Sequence, residues 1–277
     1  MKKLLAVVMS VVIAAAVMCP VLTASAAGDT DYTIVNPYET VDWDSWQYYK
    51  ANLHTHSVAS DGDETITDMV GLYYDAGYDI LALTDHGVVS HGWNLPRKTN
   101  GVFNYFRKAD PMSDEDYQRI TTGSDRGGRG MTDITGGIEI NMAVFSKTHV
   151  NGYFTEYGQG EWGIENDYRT APAKVEEMGG YSVLNHVGDW VNSNRYPERS
   201  HWDVFITYFA NIFKDYHTCL GMEIKNNTDN VTRADRALWD ELLQVVIPTG
   251  RNIWAFADDD SEYRNEVGRS FEYFVLP

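Results

Sequence analysis

The sequence predicts an α/β protein with a largely parallel sheet whose polar groups gather at strand ends. Three observations carry that expectation. Short apolar runs alternate with amphipathic helical stretches along most of the chain. His54 and His56 follow the first such run, and a second, Ile80-Leu81-Ala82-Leu83, closes on Thr84-Asp85-His86. In a strand, residues i and i+2 share a face, so His54 and His56 aim two imidazoles at one point. Neutral imidazole is the commonest metal-binding side chain. A second strand that delivers another histidine at its C-terminal end suits a parallel sheet with its site at the strand ends.

Taken in order, the chain opens on a basic Met1-Lys2-Lys3, an apolar run from Leu4 to Met18, and Ala24-Ser25-Ala26 as a small-residue cleavage site. This pattern predicts a secretory signal peptide over 1–26 and an extracytoplasmic location, since the apolar run is short for a membrane span. No later stretch is long and apolar enough to span a bilayer. Removing 26 of the 277 residues leaves 251, a length that suits one α/β domain with a large core. Residues 27–48, rich in Asp, Tyr and Trp, read as a lead-in, and 49–277 as that domain. Cys19 leaves with the leader, so Cys219 has no intramolecular partner and reads as a small buried hydrophobe. The net charge is −18, and a field of that sign disfavours long nucleic acid as a partner. A small phosphoester is not excluded, because bound divalent ions reverse the local potential.

Ile66, Met69, Val70 and Tyr73 recur at i, i+3, i+4 and i+7, the stripe of a helix lying on a sheet, and Gly77 ends it. From Val88 to Thr132 polar residues and glycines dominate, which predicts a loop or lid over the site, with His91 as a candidate substrate contact. Ile134–Ile140 reads as the third strand. Glu139 within it needs a partner, because an unpaired buried charge is costly, and His149 follows at a fitting distance. A short helix over Ala173–Met178 precedes a strand at Tyr181–Leu184 that ends on Asn185-His186. Asp189 to His201 reads as a second loop, where Arg195 and Arg199 are candidates to grip a phosphate. A helix over Trp202–Tyr216, a strand at Leu220–Ile224 and a helix around Arg233–Gln244 come next. Glu223 and Lys225 stand at that strand's end as candidate substrate contacts. Asn226-Asn227-Thr228 and Asn230-Val231-Thr232 fit the glycosylation pattern. Asn252–Ala257 then runs into Asp258-Asp259-Asp260-Ser261-Glu262, and Phe271–Leu276 is the last apolar run.

These motifs resemble the PHP superfamily, named for polymerase and histidinol phosphatase domains. The residues that carry the resemblance are Asn52-Leu53-His54-Thr55-His56-Ser57, Ser60-Asp61-Gly62, Ala76-Gly77-Tyr78-Asp79 and Leu83-Thr84-Asp85-His86. The resemblance implies a distorted (β/α)7 barrel with two or three divalent metal ions that hydrolyses phosphoesters. It implies one ion on His54, His56, Glu139 and Asp260, a second on Glu139, His149 and His186, and a third on Asp61, His86 and Glu262. Glu139, His54 and His56 are then the catalytic core, with a metal-bridging hydroxide as nucleophile. Mixed imidazole and carboxylate donors without thiolate suit manganese, iron or zinc. Two positions depart from the family: Val187 replaces a proline after His186, and Glu262 stands where histidine is usual. An amidohydrolase-type ester or amide hydrolase and a non-catalytic metal-binding module are the rival readings. Substrate identity, metal identity and oligomeric state are not fixed by the sequence.

Overall fold

The computed structural model describes residues 36, 38–98, 109–140, 148–160, 167–193, 202–227 and 233–277. The expected leader 1–26, Arg195, Arg199 and the Asn230-Val231-Thr232 triplet lie outside them. Met1–Val41 and Asp42–Pro277 are separate units; the described part of the first is a turn in which Val41 N–H donates to Tyr38 O at 3.1 Å.

The strands of the second unit fall into two sheets. In the first, β1 (Gln47–Asn52) pairs in parallel with β2 (Ile80–Leu81), and β2 with β3 (Thr132–Asp133). The second holds β4 (Ile138–Ile140), β5 (Val150–Tyr153), β6 (Tyr181–Leu184), β7 (Cys219–Asn226) and β8 (Trp254–Asp258), in that order. β9 (Glu272–Leu276) returns to the first sheet antiparallel to β1. β6, β7 and β8 run parallel, while β5 runs against both of its neighbours. Among the described residues the strands of the expected distorted (β/α)7 barrel form two open sheets and not one closed sheet. The reason lies in the pairing: β9 occupies the free edge of β1, and the sheets meet through the isolated bridges Thr55↔Ser261 and His86↔Glu139.

Helix α1 (Ile66–Asp75) forms as its stripe requires. The Thr65 hydroxyl caps its start by accepting from Asp68 N–H at 3.1 Å, and Ile66, Met69, Val70 and Tyr73 are buried. Of the segment expected to cover the site, residues 99–108 lie outside the described residues, and the described parts pack beside α1. Within it α2 (Asp114–Thr122) is capped by Ser113, and Trp93, Met112, Ile120 and Met131 pack with α1. One fully buried tryptophan and its neighbours explain this, at about 1.5–3 kcal/mol for each large side chain removed from water. Helices α3 (Thr170–Glu177), α4 (Val187–Ser193), α5 (Trp202–Asp215) and α6 (Arg233–Val246) cover the second sheet. Phe209, Phe213, Leu238 and Leu242 there join Ile138, Val150, Leu184 and Met222. A third cluster, Leu53, Ala82, Tyr153, Val183 and Phe256, draws on strands of both sheets. Cys219 is buried and free, its thiol pushed up to about 12 by burial. The third strand starts at Ile138 rather than Ile134, because Gly136 turns at φ +68 and a Cβ there would lie 2.6 Å from the Phe154 Cα.

Candidate metal centre

His54 and His56 stand just beyond β1, fully buried, with their Nε2 atoms 3.2 Å apart. Glu139 on β4 lies beneath them. Its Oε2 is 3.2 Å from His54 Nε2, from His56 Nε2 and from His86 Nδ1. Asp260, just past β8, brings Oδ1 to 3.1 Å from His54 Nε2 and 3.0 Å from His56 Nε2. Five of the six separations among these four donor atoms are thus 3.0–3.2 Å. Four ligands about 2.0–2.2 Å from one ion stand about 3.3–3.6 Å apart, so this cluster is a few tenths of an ångström tighter and converges on one point in the manner of ligands to a divalent cation. The other Glu139 oxygen, Oε1, lies 3.2 Å from His149 Nδ1 and 3.3 Å from His186 Nε2, and accepts from Asn185 Nδ2 at 2.8 Å. Each oxygen of this carboxylate therefore addresses its own set of imidazoles.

Local structure delivers each group. Asp61 sits 3.4 Å from His56 Nδ1 and 3.5 Å from His86 Nε2. Its loop folds back onto the chain at Gly62, where a Cβ would come within 2.7 Å of the His56 carbonyl carbon. Asp85 of the Thr-Asp-His motif accepts from Ser57 N–H at 2.7 Å and from the Ser60 hydroxyl at 2.9 Å, so it ties that loop down. The reversal of β5 puts its first residues, rather than its last, at the site, which brings in His149. His186 and Asp260 have φ of +27 and +45, a region that histidine and aspartate tolerate better than most L residues.

The electrostatics follow from crowding carboxylates and imidazoles in a dry space. Burial alone pushes the His54 pKa down, but Asp260, Glu139 and Glu223 hold it well above its usual value. His56 is raised against burial in the same way by Asp61, Asp260 and Glu139. Burial would raise Glu139, yet His86, His54 and His149 pull it well below the carboxylate range. His186, opposed by burial and favoured chiefly by Glu139, moves up to about 9. His86 goes the other way, lowered by burial. The pocket demands positive charge, which protons or a divalent cation supply in competition. His86 Nδ1 is buried and makes no hydrogen bond among the described residues, although Glu139 Oε2 lies 3.2 Å away, as expected of a donor placed for a cation.

Three groups of donors converge: His54, His56, Glu139 and Asp260; His56, Asp61 and His86; and His86, Glu139 and His149. The first is the set the motifs imply. In the second, His56 stands where Glu262 was expected, and Glu262 belongs to none of the groups among the described residues. Its N–H bonds Glu266 Oε2 at 2.9 Å. In the third, His86 joins Glu139 and His149, while His186 approaches Oε1 alone. Of the substrate candidates, His91 lies 3.2 Å from Glu156 Oε1, beside Thr135 and Phe154. Lys225 Nζ donates to Ser270 Oγ at 2.8 Å. Asn226, read as a glycosylation acceptor, is 5% exposed with its amide on Glu223 and Asp260, out of reach of a glycan. Sequence reasoning missed Asn185 and Asn226 as supports of the site; a buried amide next to a ligand was the available signal for Asn185.

Among the described residues no helix is long and apolar enough to cross a membrane. The PHP domain model matches residues 52–250, with Asp260 and Glu262 beyond its end. No curated protein matches the chain. Among solved structures, a two-domain protein from Bacteroides vulgatus proposed to contain a PHP-like metal-dependent phosphoesterase is 18% identical, with a TM-score of 0.53. The match covers 88% of this chain and 63% of that one, so the chain spans less than two thirds of that protein's length. A protein from Bifidobacterium adolescentis, proposed to be a metal-dependent phosphoesterase, is 15% identical over 79% of this chain and 91% of its own, with a TM-score of 0.46. An amidohydrolase from Chromobacterium violaceum with bound sulfate and no metal is 16% identical over 82% and 92%, with a TM-score of 0.41. Since the family model covers well over half of the sequence, the chain belongs to the PHP domain family.

Proposed function

We propose that the protein is an exported phosphoesterase that depends on divalent metal ions and acts on a small phosphoester. The observation that carries this reading is Glu139, a fully buried carboxylate with His54, His56 and His86 around one oxygen and His149 and His186 around the other. His54, His56, Glu139 and Asp260 would hold one ion and His86, Glu139 and His149 a second, with His186 beside it. His56, Asp61 and His86 would hold a third. Divalent ions bound there lower the pKa of water and offset charge on phosphoryl oxygens. The chain's own part is to hold two donor sets on one carboxylate and to keep that carboxylate from turning. Arg195 and Arg199 are the proposed cationic contacts for the phosphoryl group. The family's distorted (β/α)7 arrangement is supported by the two bridges that join the sheets at the site end. The Bacteroides vulgatus protein, proposed to contain such a phosphoesterase, agrees with this reading.

The test is a hydrolysis screen with metal-stripped protein resupplied with Mn²⁺, Fe²⁺ or Zn²⁺, against phosphomonoesters, phosphodiesters and carboxylic esters. Metal-restored turnover of phosphoesters is expected. Turnover of carboxylic esters alone would replace the reading with an amidohydrolase-like one. Export is checked by N-terminal sequencing of the processed protein, expected to begin at Ala27.

A further inference from the structure

We infer that Glu223 is the positioning residue of this centre: one buried carboxylate that fixes the ring of His54, the backbone of His186 and, through Asn226, the carboxylate of Asp260. The inference rests on the metal reading for what those three groups hold, but not for the contacts themselves. Glu223 lies on β7 and is 0% exposed. Its Oε1 accepts from His54 Nδ1 at 2.6 Å. Its Oε2 accepts from the His186 N–H at 2.7 Å and from Asn226 Nδ2 at 3.0 Å. The same Asn226 nitrogen lies 2.9 Å from Asp260 Oδ2, the oxygen not turned toward the imidazoles.

Three donors on two oxygens require a group that only accepts, which an ionised carboxylate is and an amide is not. Such an anion, out of water and without a lysine or arginine pair among the described residues, is costly unless donors surround it. Here the donors are the parts of the centre that most need fixing. A neutral His54 that gives its Nδ1 proton to Glu223 carries its lone pair on Nε2, the atom that faces His56, Glu139 and Asp260. The neighbouring imidazole of His56 has a longer anchor, with Ser60 Oγ 3.3 Å from its Nδ1. His186 and Asp260 are the two candidate ligands with left-handed backbones, conformations that persist only where surrounding contacts hold them. Glu223 binds the first directly and the second through Asn226.

The experiment uses the whole chain, prepared metal-free, as wild type, Glu223→Gln, Glu223→Asp and Asn226→Ala. Affinity for Mn²⁺ and Zn²⁺ is read by competition with a chromogenic chelator. The His54 tautomer is read from ring ¹⁵N shifts of histidine-labelled protein at a pH high enough to make that imidazole neutral, and folding from circular dichroism. Glu223→Gln is expected to weaken metal binding about 10- to 100-fold and to lose the fixed Nδ1–H form of His54. Asn226→Ala is expected to weaken metal binding while leaving that tautomer in place. Should Glu223→Gln fail to fold, Glu223→Asp, which keeps both acceptor oxygens on a shorter arm, is expected to fold and to show a smaller loss of the same two signals. Wild-type affinity with an unchanged His54 tautomer in whichever Glu223 variant folds would overturn the inference. A wild type that binds neither ion, yet loses the His54 tautomer in Glu223→Gln, would refute the metal reading and uphold the positioning role.

Discussion

Asn185 donates its amide to Glu139 Oε1 at 2.8 Å and to Asn151 Oδ1 at 2.9 Å, so the carboxylate at the heart of the site is held by a neutral side chain just past the end of β6, two strands away in the sheet. Asn185 is itself pinned, because the Tyr168 hydroxyl donates to its carbonyl at 3.0 Å and Asn151 N–H to its Oδ1 at 3.2 Å. Asn185→Ala would free Glu139 to rotate and leave Asn151 Oδ1 without that donor, at about 1–3 kcal/mol. The expected result is metal affinity lowered about tenfold in a folded protein, measured by chelator competition and thermal unfolding. Unchanged affinity would mean the imidazoles alone orient Glu139.

Glu139→Gln keeps the shape of the side chain and removes the charge that both donor sets face. Metal content is expected to fall, and hydrolysis to drop by orders of magnitude. Elemental analysis and steady-state kinetics on the same preparation decide it. Normal turnover at the wild-type metal content would take Glu139 out of the site.

Glu262 offers a discriminating comparison, since it stands where the family usually has histidine yet joins none of the converging groups. Glu262→Ala is expected to retain the wild-type metal stoichiometry and activity. Loss of one ion in that variant, restored by Glu262→His, would instead place the residue in a third metal shell.

Asp235 gives a pH-dependent prediction away from the ligands. It is 0% exposed at the start of α6; one oxygen accepts from Gly188 N–H in α4, and Oδ2 has no hydrogen-bond partner among the described residues. Burial pushes its pKa up to about 7 from an ordinary 3.8. The unfolded chain therefore loses this proton near pH 4, whereas the folded protein keeps it until about pH 7. Folding stability falls across that interval, and the full penalty applies above it. Asp235→Asn preserves an acceptor for Gly188 and removes the titration. It is expected to stabilise metal-free protein by about 1–3 kcal/mol at pH 8 and to be neutral near pH 4, read by denaturant unfolding at both pH values. Equal effects at the two pH values would show that Asp235 is not held protonated.

The parts of the site that follow from strand period were legible. His54 and His56 converge because a strand repeats every two residues, and Glu139 stood out as a charge inside an apolar run. The sharing of imidazoles was not legible. Whether His86 or His186 joins His149 depends on the reversed direction of β5 and on the left-handed backbone at His186, neither of which a local pattern displays. Helix α2 was missed because Ile120 is its one buried residue, too little for a hydrophobic stripe, although Ser113 and Asp116 carried a cap signature. The two-sheet arrangement was hidden for a related reason: the pairing of β9 with β1 joins residues more than two hundred positions apart, and nothing in either segment encodes direction.

That pairing also decides how the domain can be tethered. Gln47 is in register with Leu276, and the two strands run in opposite directions. The first strand reaches the metal centre only seven residues later, at His54, or about 20 Å along an extended chain. A fusion partner, surface anchor or affinity tag joined before Gln47 or after Leu276 would leave from the same edge of the sheet, at the end remote from His54. Immobilisation through either side is thus expected to present the same face outward, and a probe attached at one side reports on the other at the distance of a single pair of adjacent strands.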